Sequence, residues 1–266
     1  IIIENASLKD FLMQLIKNLG REELSSASFI SKNLYGIWRY ITNFNLPSKS
    51  KINAQHHYDV GGIRGEKLYN IFLDKNFRQY SCAYWKADTK TLEEAQQNKI
   101  EHIIKKLDLK TGQRILDVGC GWGGLAFEIA KKSGCEVLGI SLSSNQIQYA
   151  QNKAKELNLD NQVKFEMMDY RNVTGEFDRI VSCGAFEHFG RKFYKVFFNK
   201  INQIMKDNGK FLLHTIGVVD KPSPPNKFIN KYIFPGGFCP SLSQIVVPLE
   251  KTGLIVSDTE TLIRHY

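Results

Sequence analysis

Arg114-Ile-Leu-Asp-Val-Gly-Cys-Gly-Trp-Gly-Gly124 joins a short apolar run to a cluster of glycines, with an acid, Asp117, two residues before the first of them. Residues 114–118 end in a turn and an amphipathic run from Leu125 to Lys132 follows, so the glycines stand where a strand feeds a helix. Gly119, Gly121 and Gly124 match G-x-G-x-x-G, a pattern whose glycines permit a tight turn, close approach of backbone to a ligand and close packing of helix on strand. A dinucleotide site adds an acid about 20 residues further on for the ribose. Here the next strand, Glu136-Val-Leu-Gly-Ile140, runs into Ser141-Leu-Ser-Ser-Asn-Gln146, with no acid at its end. The Asp117 carboxylate would be repelled by a pyrophosphate and attracted by an ammonium and a sulfonium. The reading therefore favours S-adenosylmethionine over a dinucleotide, and a glycine turn without a ligand is the remaining alternative.

From residue 92 the chain alternates helix and strand. A helix to Leu107 precedes strand 114–118; helix 123–132, strand 136–140, helix 144–157 and strand 163–167 follow. Phe177-Asp-Arg-Ile-Val-Ser-Cys183 supplies a further strand, 192–206 a helix, and Gly209-Lys-Phe-Leu-Leu-His-Thr-Ile216 another strand. Such alternation implies an α/β fold, a mostly parallel sheet with helices on both faces. Ligands in these sheets lie outside the carboxyl ends of the strands. That puts Gly119, Ser141, Asp169, Cys183 to Glu187 and His214 to Ile216 on one rim.

The 266 residues suffice for one principal domain with a full core, and 42% hydrophobic with 24% charged residues is an ordinary globular composition. The excess of 36 basic over 27 acidic residues gives a formal charge of +9. This favours an anionic partner, a phospholipid surface or nucleic acid, without choosing between them. No uninterrupted stretch of about 18 apolar residues exists, and Ile1-Ile-Ile-Glu4 has neither the basic start nor the long apolar core of a signal peptide. The expected location is the cytoplasm. Cys82, Cys120, Cys135, Cys183 and Cys239 are odd in number and lack C-x-x-C spacing, which argues against a disulfide framework and a zinc site and for small core residues. No metal site is expected.

Residues 7–20 and 25–42 carry helical periodicity, with Leu8, Phe11, Leu12, Leu15 and Ile16, then Phe29, Leu34, Ile37, Trp38 and Ile41, as apolar stripes. Packing against the main domain or a second subunit is favoured over a membrane-facing cap. Asn45-Leu-Pro-Ser-Lys-Ser-Lys51 reads as a linker. The domain expectation is a helical segment over 1–50 and a catalytic domain over 51–266.

Six ordered motifs then come together: His57-Tyr-Asp59, Tyr80-Ser-Cys-Ala-Tyr-Trp85, Asp117-Val-Gly-Cys-Gly-Trp-Gly-Gly124, Phe186-Glu-His-Phe-Gly190, Leu213-His-Thr-Ile-Gly217 and Tyr232-Ile-Phe-Pro-Gly-Gly237. Together they resemble the cyclopropane-fatty-acid-phospholipid synthases, relatives of the mycolic acid cyclopropane synthases, from about residue 56 onward. The resemblance implies a Rossmann-like class I methyltransferase fold. The implied activity passes a one-carbon unit from S-adenosylmethionine to the cis double bond of an unsaturated phospholipid acyl chain, with ring closure by loss of a proton. It implies residues 1–50 as the tail of an amino-terminal lipid-binding or dimerisation domain, and a catalytic domain cut short at Tyr266. It implies peripheral association with an anionic phospholipid surface on the inner face of the membrane, admits a homodimer, and leaves no role for nucleic acid.

By the same resemblance, a bicarbonate ion is held by Cys82, Glu187, His214, Ile216 and Tyr266. Tyr80 and Ser81 lie at the donor's methionine end, Gly119 and Gly121 under it, Ser141, Leu142 and Gln146 near the ribose, and Asp169 with Tyr170 near the adenine; Asp117 joins the donor-binding set through its attraction to the ammonium and sulfonium. Chemically, His and Tyr donate to a small oxyanion, as does a backbone N–H near Ile216, while Glu187 accepts its hydroxyl proton. Tyr80, Tyr84, Trp85, Phe186, Tyr232 and Phe234 are candidates to line a dry pocket for a developing carbocation, with plain aromatic core as the alternative for about half of them. Cys82 as a covalent nucleophile is disfavoured, because its local sequence offers no paired His or helix start. Val60-Gly-Gly-Ile-Arg-Gly-Glu-Lys67 departs from the family's pattern near the acyl entrance. A branched or methylene lipid product, a small-amine acceptor and a catalytically silent lipid-binding subunit stay open as rivals. Nucleic-acid methylation lacks both an Asn/Asp-Pro-Pro-Tyr/Phe motif and a basic stripe interleaved with aromatics.

Overall fold

A computed structural model describes residues 69–219, 234–263 and 265, together with Ser7, Lys9, Asp10, Met13 and Gln14. The chain divides into two compact units, Ile1–Thr42 and Asn43–Tyr266. In the first, Lys9, Asp10, Met13 and Gln14 are helical and exposed. The rest of the helices read at 7–20 and 25–42 lies outside the described residues. So do the linker 45–51, His57 to Asp59, the glycine-rich 61–67, Tyr232 and Tyr266.

The second unit is built on five parallel strands: β1 (Arg114–Val118), β2 (Glu136–Ser141), β3 (Val163–Met167), β4 (Phe177–Cys183) and β5 (Met205–His214), in the order β3-β2-β1-β4-β5. The connecting helices are α1 (Leu92–Leu107), α2 (Gly124–Ser133), α3 (Ser144–Glu156) and α4 (Tyr194–Ile204), with α5 (Leu242–Glu250) following. Local chemistry sets their ends. Thr91 accepts the Glu94 N–H while Glu94 reaches back to the cap backbone, and Lys105 and Lys106 stand in the last turn of α1, where they complement the helix dipole. The Ser143 hydroxyl caps α3 through the Gln146 N–H.

Alternate residues of the central strands enter opposite cores, as period two requires. Ile115, Val137 and Val181 pack with Ile100, Leu125, Ile129, Ile147 and Ala150 of α1, α2 and α3. Leu116, Ile140 and Ile180 pack with Tyr194, Phe197, Phe198 and Ile201 of α4. Helices thus cover both faces, in agreement with the sequence reading. Among the described residues no helix is long and apolar enough to cross a membrane.

The α4–β5 junction and the far end of β5 differ from expectation. Helix α4 stops at Ile204 rather than 206, and β5 begins at Met205 rather than 209, because Met205 turns extended (φ −95, ψ 134) and pairs with Phe177 on β4. At its other end β5 closes at His214, so Thr215 and Ile216 lie beyond the ladder. Phe186 is the third correction. It has no exposed surface and stacks on Tyr194 at 4.0 Å with Phe197 and Phe198 behind, so it belongs to the core and not to a substrate tunnel. Phe186→Ala should destabilise the protein by about 3–5 kcal/mol, measured by urea unfolding. A loss below about 1 kcal/mol would contradict this placement.

Candidate functional site

The order β3-β2-β1-β4-β5 reverses between β1 and β4, which opens a crevice at their carboxyl ends. The turn after β1 is held by a double contact, the Gly119 and Cys120 N–H groups both donating to the Ile140 carbonyl at 2.9 and 3.0 Å. Gly119 is in a left-handed conformation (φ +84), and a Cβ there would lie 2.3 Å from the Ala185 Cβ. The third glycine of the motif serves a different purpose from the expected packing of helix on strand. A Cβ on Gly124 would lie 2.0 Å from the Phe77 carbonyl oxygen, so this glycine admits the loop that carries Gln79, Tyr80 and Ser81. Buried Asp74 fixes that loop by accepting the Phe77 and Gln79 N–H groups at 2.6 and 2.7 Å.

The crevice has two halves of different character. One, about 660 Å³, is walled by Ile140, Leu142, Met168, Ala185 and Phe189, with Ser141, Gln146, Asp169 and Arg171 at its edges. The Ser141 hydroxyl donates to Gln146 Oε1 at 2.9 Å, which leaves the buried amide's Nε2 as a donor beside Gly121. Asp169 is committed to Arg171, through the backbone N–H at 3.0 Å and the guanidinium at 2.8 Å. Tyr170 borders this half, yet its ring lies among Phe189 and Phe197 and its hydroxyl has no partner. Burial pushes that phenol up to about 12.

The other half, about 440 Å³, is polar and shares Gly119, Gly121 and Gln146 with the first; Arg78, Tyr80, Ser81, Asp117 and Cys183 line it. Tyr80 is 40% exposed, its ring against Tyr69 and Phe72. Asp117 is 1% exposed, and its Oδ2 has no hydrogen-bond partner. Burial, and secondarily Cys183, push this carboxyl up to about 8 against the opposing pull of Lys99. Lys99, equally buried, donates to Ser81 Oγ at 2.6 Å and Gln79 Oε1 at 2.9 Å, and burial lowers its pKa.

Glu187 lies in the 3-10 turn Phe186–His188 that follows β4, and His214 ends the neighbouring β5. Glu187 Oε1 accepts the Ile216 N–H at 2.6 Å, while the buried Oε2 is without a partner. Burial raises the Glu187 pKa although that N–H and the nearby His214 favour the charged form. The Ile216 N–H is thus engaged with Glu187 in this structure. His214 Nδ1 lies 3.4 Å from Cys183 Sγ. Cys82 is half-buried and close enough for its charge to be felt at Lys99. Of the proposed aromatic wall, Tyr84 is sandwiched between His102 and His265, and the Trp85 N–H donates to His265, so both secure the C-terminal segment. Phe234 stacks on His188.

Sequence reasoning missed Lys99 and the role of Cys183. Lys99 sits with Gln96, Ile100, Ile103 and Leu107 on the buried side of α1, a place where a lysine needs polar partners; Cys183 is the last residue of β4, on the rim already identified. The Asp117 pKa carries a test. Because the folded value is raised, the group contributes stability that is fully present below the ordinary carboxylate range and is lost as pH rises through about 8. Asp117→Asn should therefore gain stability over the native chain as pH rises from about 4 to 8, by at least about 1 kcal/mol. Chemical denaturation at a series of pH values measures it, and a gap that stays constant with pH would refute the burial argument.

The family model for mycolic acid cyclopropane synthetase matches residues 47–266. The chain is 46% identical over 204 residues to the cyclopropane-fatty-acyl-phospholipid synthase of Escherichia coli, a match covering 76% of this chain and 51% of that one. It is 35% identical over 227 residues to a cyclopropane mycolic acid synthase of Mycobacterium tuberculosis, covering 80% and 77%. Among solved structures, the cyclopropane synthase MmaA2 from Mycobacterium tuberculosis superposes with a TM-score of 0.75 at 32% identity, over 81% of this chain and 78% of that one. The mycolic acid cyclopropane synthase CmaA1 complexed with SAH and CTAB gives 0.71 at 34%, over 78% and 76%. The chain spans about half the length of the Escherichia coli relative. These matches, with the parallel sheet and its glycine turn, show that the chain belongs to the mycolic acid cyclopropane synthetase family.

Proposed function

We propose that this chain binds S-adenosylmethionine in the crevice between β1 and β4 and adds a one-carbon unit to the cis double bond of an unsaturated phospholipid acyl chain, closing a cyclopropane ring. The observation that carries the reading is the buried, unpartnered Asp117 oxygen beneath a cleft that is apolar at one end and ionic at the other. The apolar half suits a base and the ionic half an amino acid, with Gln146 between them as an uncharged partner for ribose hydroxyls. When bound, the donor supplies an electrophilic methyl. Asp117 would hold the donor's ammonium, Ser141, Leu142 and Gln146 the ribose, and Asp169 with Tyr170 the adenine side, while Tyr80 and Ser81 close the methionine end.

An alkene is a weak nucleophile, so the chain's own contribution is exclusion of water and removal of a proton. The buried Glu187 Oε2, which has no hydrogen-bond partner, and the raised pKa of that carboxyl support sharing a proton with a bicarbonate ion. Cys82 and His214, with Tyr266 from outside the described residues, complete the proposed holders; the Ile216 N–H acts through Glu187 by fixing its orientation. The +9 balance supports docking on anionic lipid. Residues 1–50 are assigned to the tail of a lipid-binding or dimerisation domain, and residues 51–266 to catalysis.

Incubation of the chain with labelled S-adenosylmethionine and unsaturated phosphatidylglycerol vesicles tests the reaction. The expected product gains one CH₂, keeps its number of rings plus double bonds and resists ozonolysis. An ozonolysable product would indicate a branched alkene, and turnover without lipid a soluble acceptor. Donor-site chemistry has its own check in S-adenosylhomocysteine, which keeps the ammonium. Because Asp117 is largely protonated in the free cleft below about 8, binding at pH 7 should release close to one proton, and affinity should rise with pH up to about 8 and then level. Calorimetry in buffers of different ionisation enthalpy measures it. Proton release that persists in Asp117→Asn would refute the assignment.

A further inference from the structure

The cysteines described here have different surroundings. Cys120 and Cys135 are buried; burial and Asp117 push the Cys120 thiol well up, and the Cys135 Sγ donates to the Lys110 carbonyl at 3.2 Å. Cys239 is also raised, by burial and by Glu187. Cys183 shifts the other way. It is half-buried at the carboxyl end of β4 and borders the ionic half of the crevice. Its Sγ lies 3.4 Å from His214 Nδ1 and 3.5 Å from Ser81 Oγ, and Ser81 Oγ accepts the buried Lys99 ammonium at 2.6 Å. Burial alone would keep the sulfur protonated, but His214 and then Lys99 outweigh it and hold the thiol well below its ordinary range. The same contact raises His214. The 3.4 Å contact between Cys183 Sγ and His214 Nδ1 lets a proton pass between sulfur and imidazole, and each group favours the charged form of the other. Asp117, whose unpartnered oxygen borders the same space, marks that half as built to receive a ligand.

We propose that Cys183 and His214 form a nucleophilic thiolate–imidazolium pair in the floor of the crevice, a covalent modification site for electrophiles of the α,β-unsaturated carbonyl class. In the reaction the sulfur forms an S–C bond to the β-carbon, and the π pair of the double bond moves to the α-carbon. That carbon takes the proton held on His214, leaving a thioether and a neutral imidazole. No oxidant and no leaving group is needed. The adduct occupies the space assigned above to the donor's amino-acid end and removes the anionic partner of His214, so modification and donor binding exclude each other. This consequence rests on the proposed donor site; the reactivity of the pair does not.

The test uses the 266-residue chain with substoichiometric N-ethylmaleimide at pH 6.5, the adduct being located by peptide mass mapping. Cys183 should be labelled before Cys82, Cys239 and the buried thiols, at a rate at least about tenfold above that of a free cysteine peptide, which is about 1% thiolate at this pH. Cys183→Ser should abolish the first adduct. His214→Gln should slow labelling of Cys183 at least about tenfold. Should that variant misfold, the pH profile of the native chain decides: a rate already level by pH 7.5 supports the pair, and one still climbing tenfold from pH 7.5 to 8.5 overturns it. First labelling at Cys82 or Cys239, or a folded His214→Gln with an unchanged rate, also overturns it. Saturating S-adenosylhomocysteine should protect Cys183. If Cys183 is labelled first but without protection, the pair stands and the proposed donor position falls.

Discussion

A carboxylate is buried at the end of the central strand of a fully covered parallel sheet, and the arrangement of the rest follows from the cost of leaving it there. Asp117 is 1% exposed, and Lys99, which pulls its pKa down, donates to Gln79 and Ser81. Burying a charge without a partner is expensive, and the group responds by holding its proton. Such a residue lowers the stability of the empty protein and is retained where a ligand of the opposite charge completes it. The glycine turn that follows, locked on the Ile140 carbonyl, leaves the crevice above this carboxyl free of side chains.

The polar groups around Asp117 form a connected series. Lys99 leads through Ser81 to Cys183 and His214, and His214 neighbours Glu187, which is tied to the Ile216 backbone. Electrostatic coupling runs along this series, since His214 favours the charged forms of both Cys183 and Glu187, and Lys99 that of Cys183. At low local dielectric such coupling is strong, and no member titrates independently of the next. The surface pairs differ in kind. Lys106 with Asp258 and Glu260, and His102 with Glu260, fasten the C-terminal segment to α1, but each is solvent-screened and contributes little by itself. The Tyr84 ring packed between His102 and His265 gives that segment its firmer hold.

The sheet was legible because both of its periodicities survive in the sequence. The apolar runs at 114–118, 136–140, 163–167 and 177–183 return as β1 to β4 with at most one residue of change, and a rim of strand ends could be named before any coordinates. The α4–β5 junction was not legible. Its polar stretch Lys206 to Gly209 carries no pattern of either period, and pairing with β4 decides that Met205 is already strand. Side-chain partners were readable only where a motif carried them. Glu187, in the turn after β4, and His214, at the end of β5, fall on the expected rim, whereas Phe186 looked like a pocket wall because burial in a core and burial in a tunnel leave the same trace in sequence. The commitment of the Ile216 N–H and the Cys183–His214 contact depend on loop geometry beyond the strands.

Why the reactive groups collect between β4 and β5 follows from how those strand ends are joined. The Gly184 N–H donates to the His214 carbonyl at 2.9 Å, the Ile216 N–H to Glu187, and Cys183 meets the His214 ring. The Phe238 N–H closes on the Glu187 carbonyl at 3.0 Å. The register shift between these strands falls at Phe177 and Arg179, the opposite end of the pair, so the irregularity is kept away from the rim. Side chains held by backbone contacts on adjacent parallel strands lose little freedom when a ligand arrives, which is what proton transfer at a defined distance requires. The ionic half, by contrast, depends on loop 74–81, held by Asp74 and admitted by Gly124. Under the proposed function, a change in that loop would therefore act first on donor affinity, whereas a change at the β4–β5 rim would act first on the proton's path.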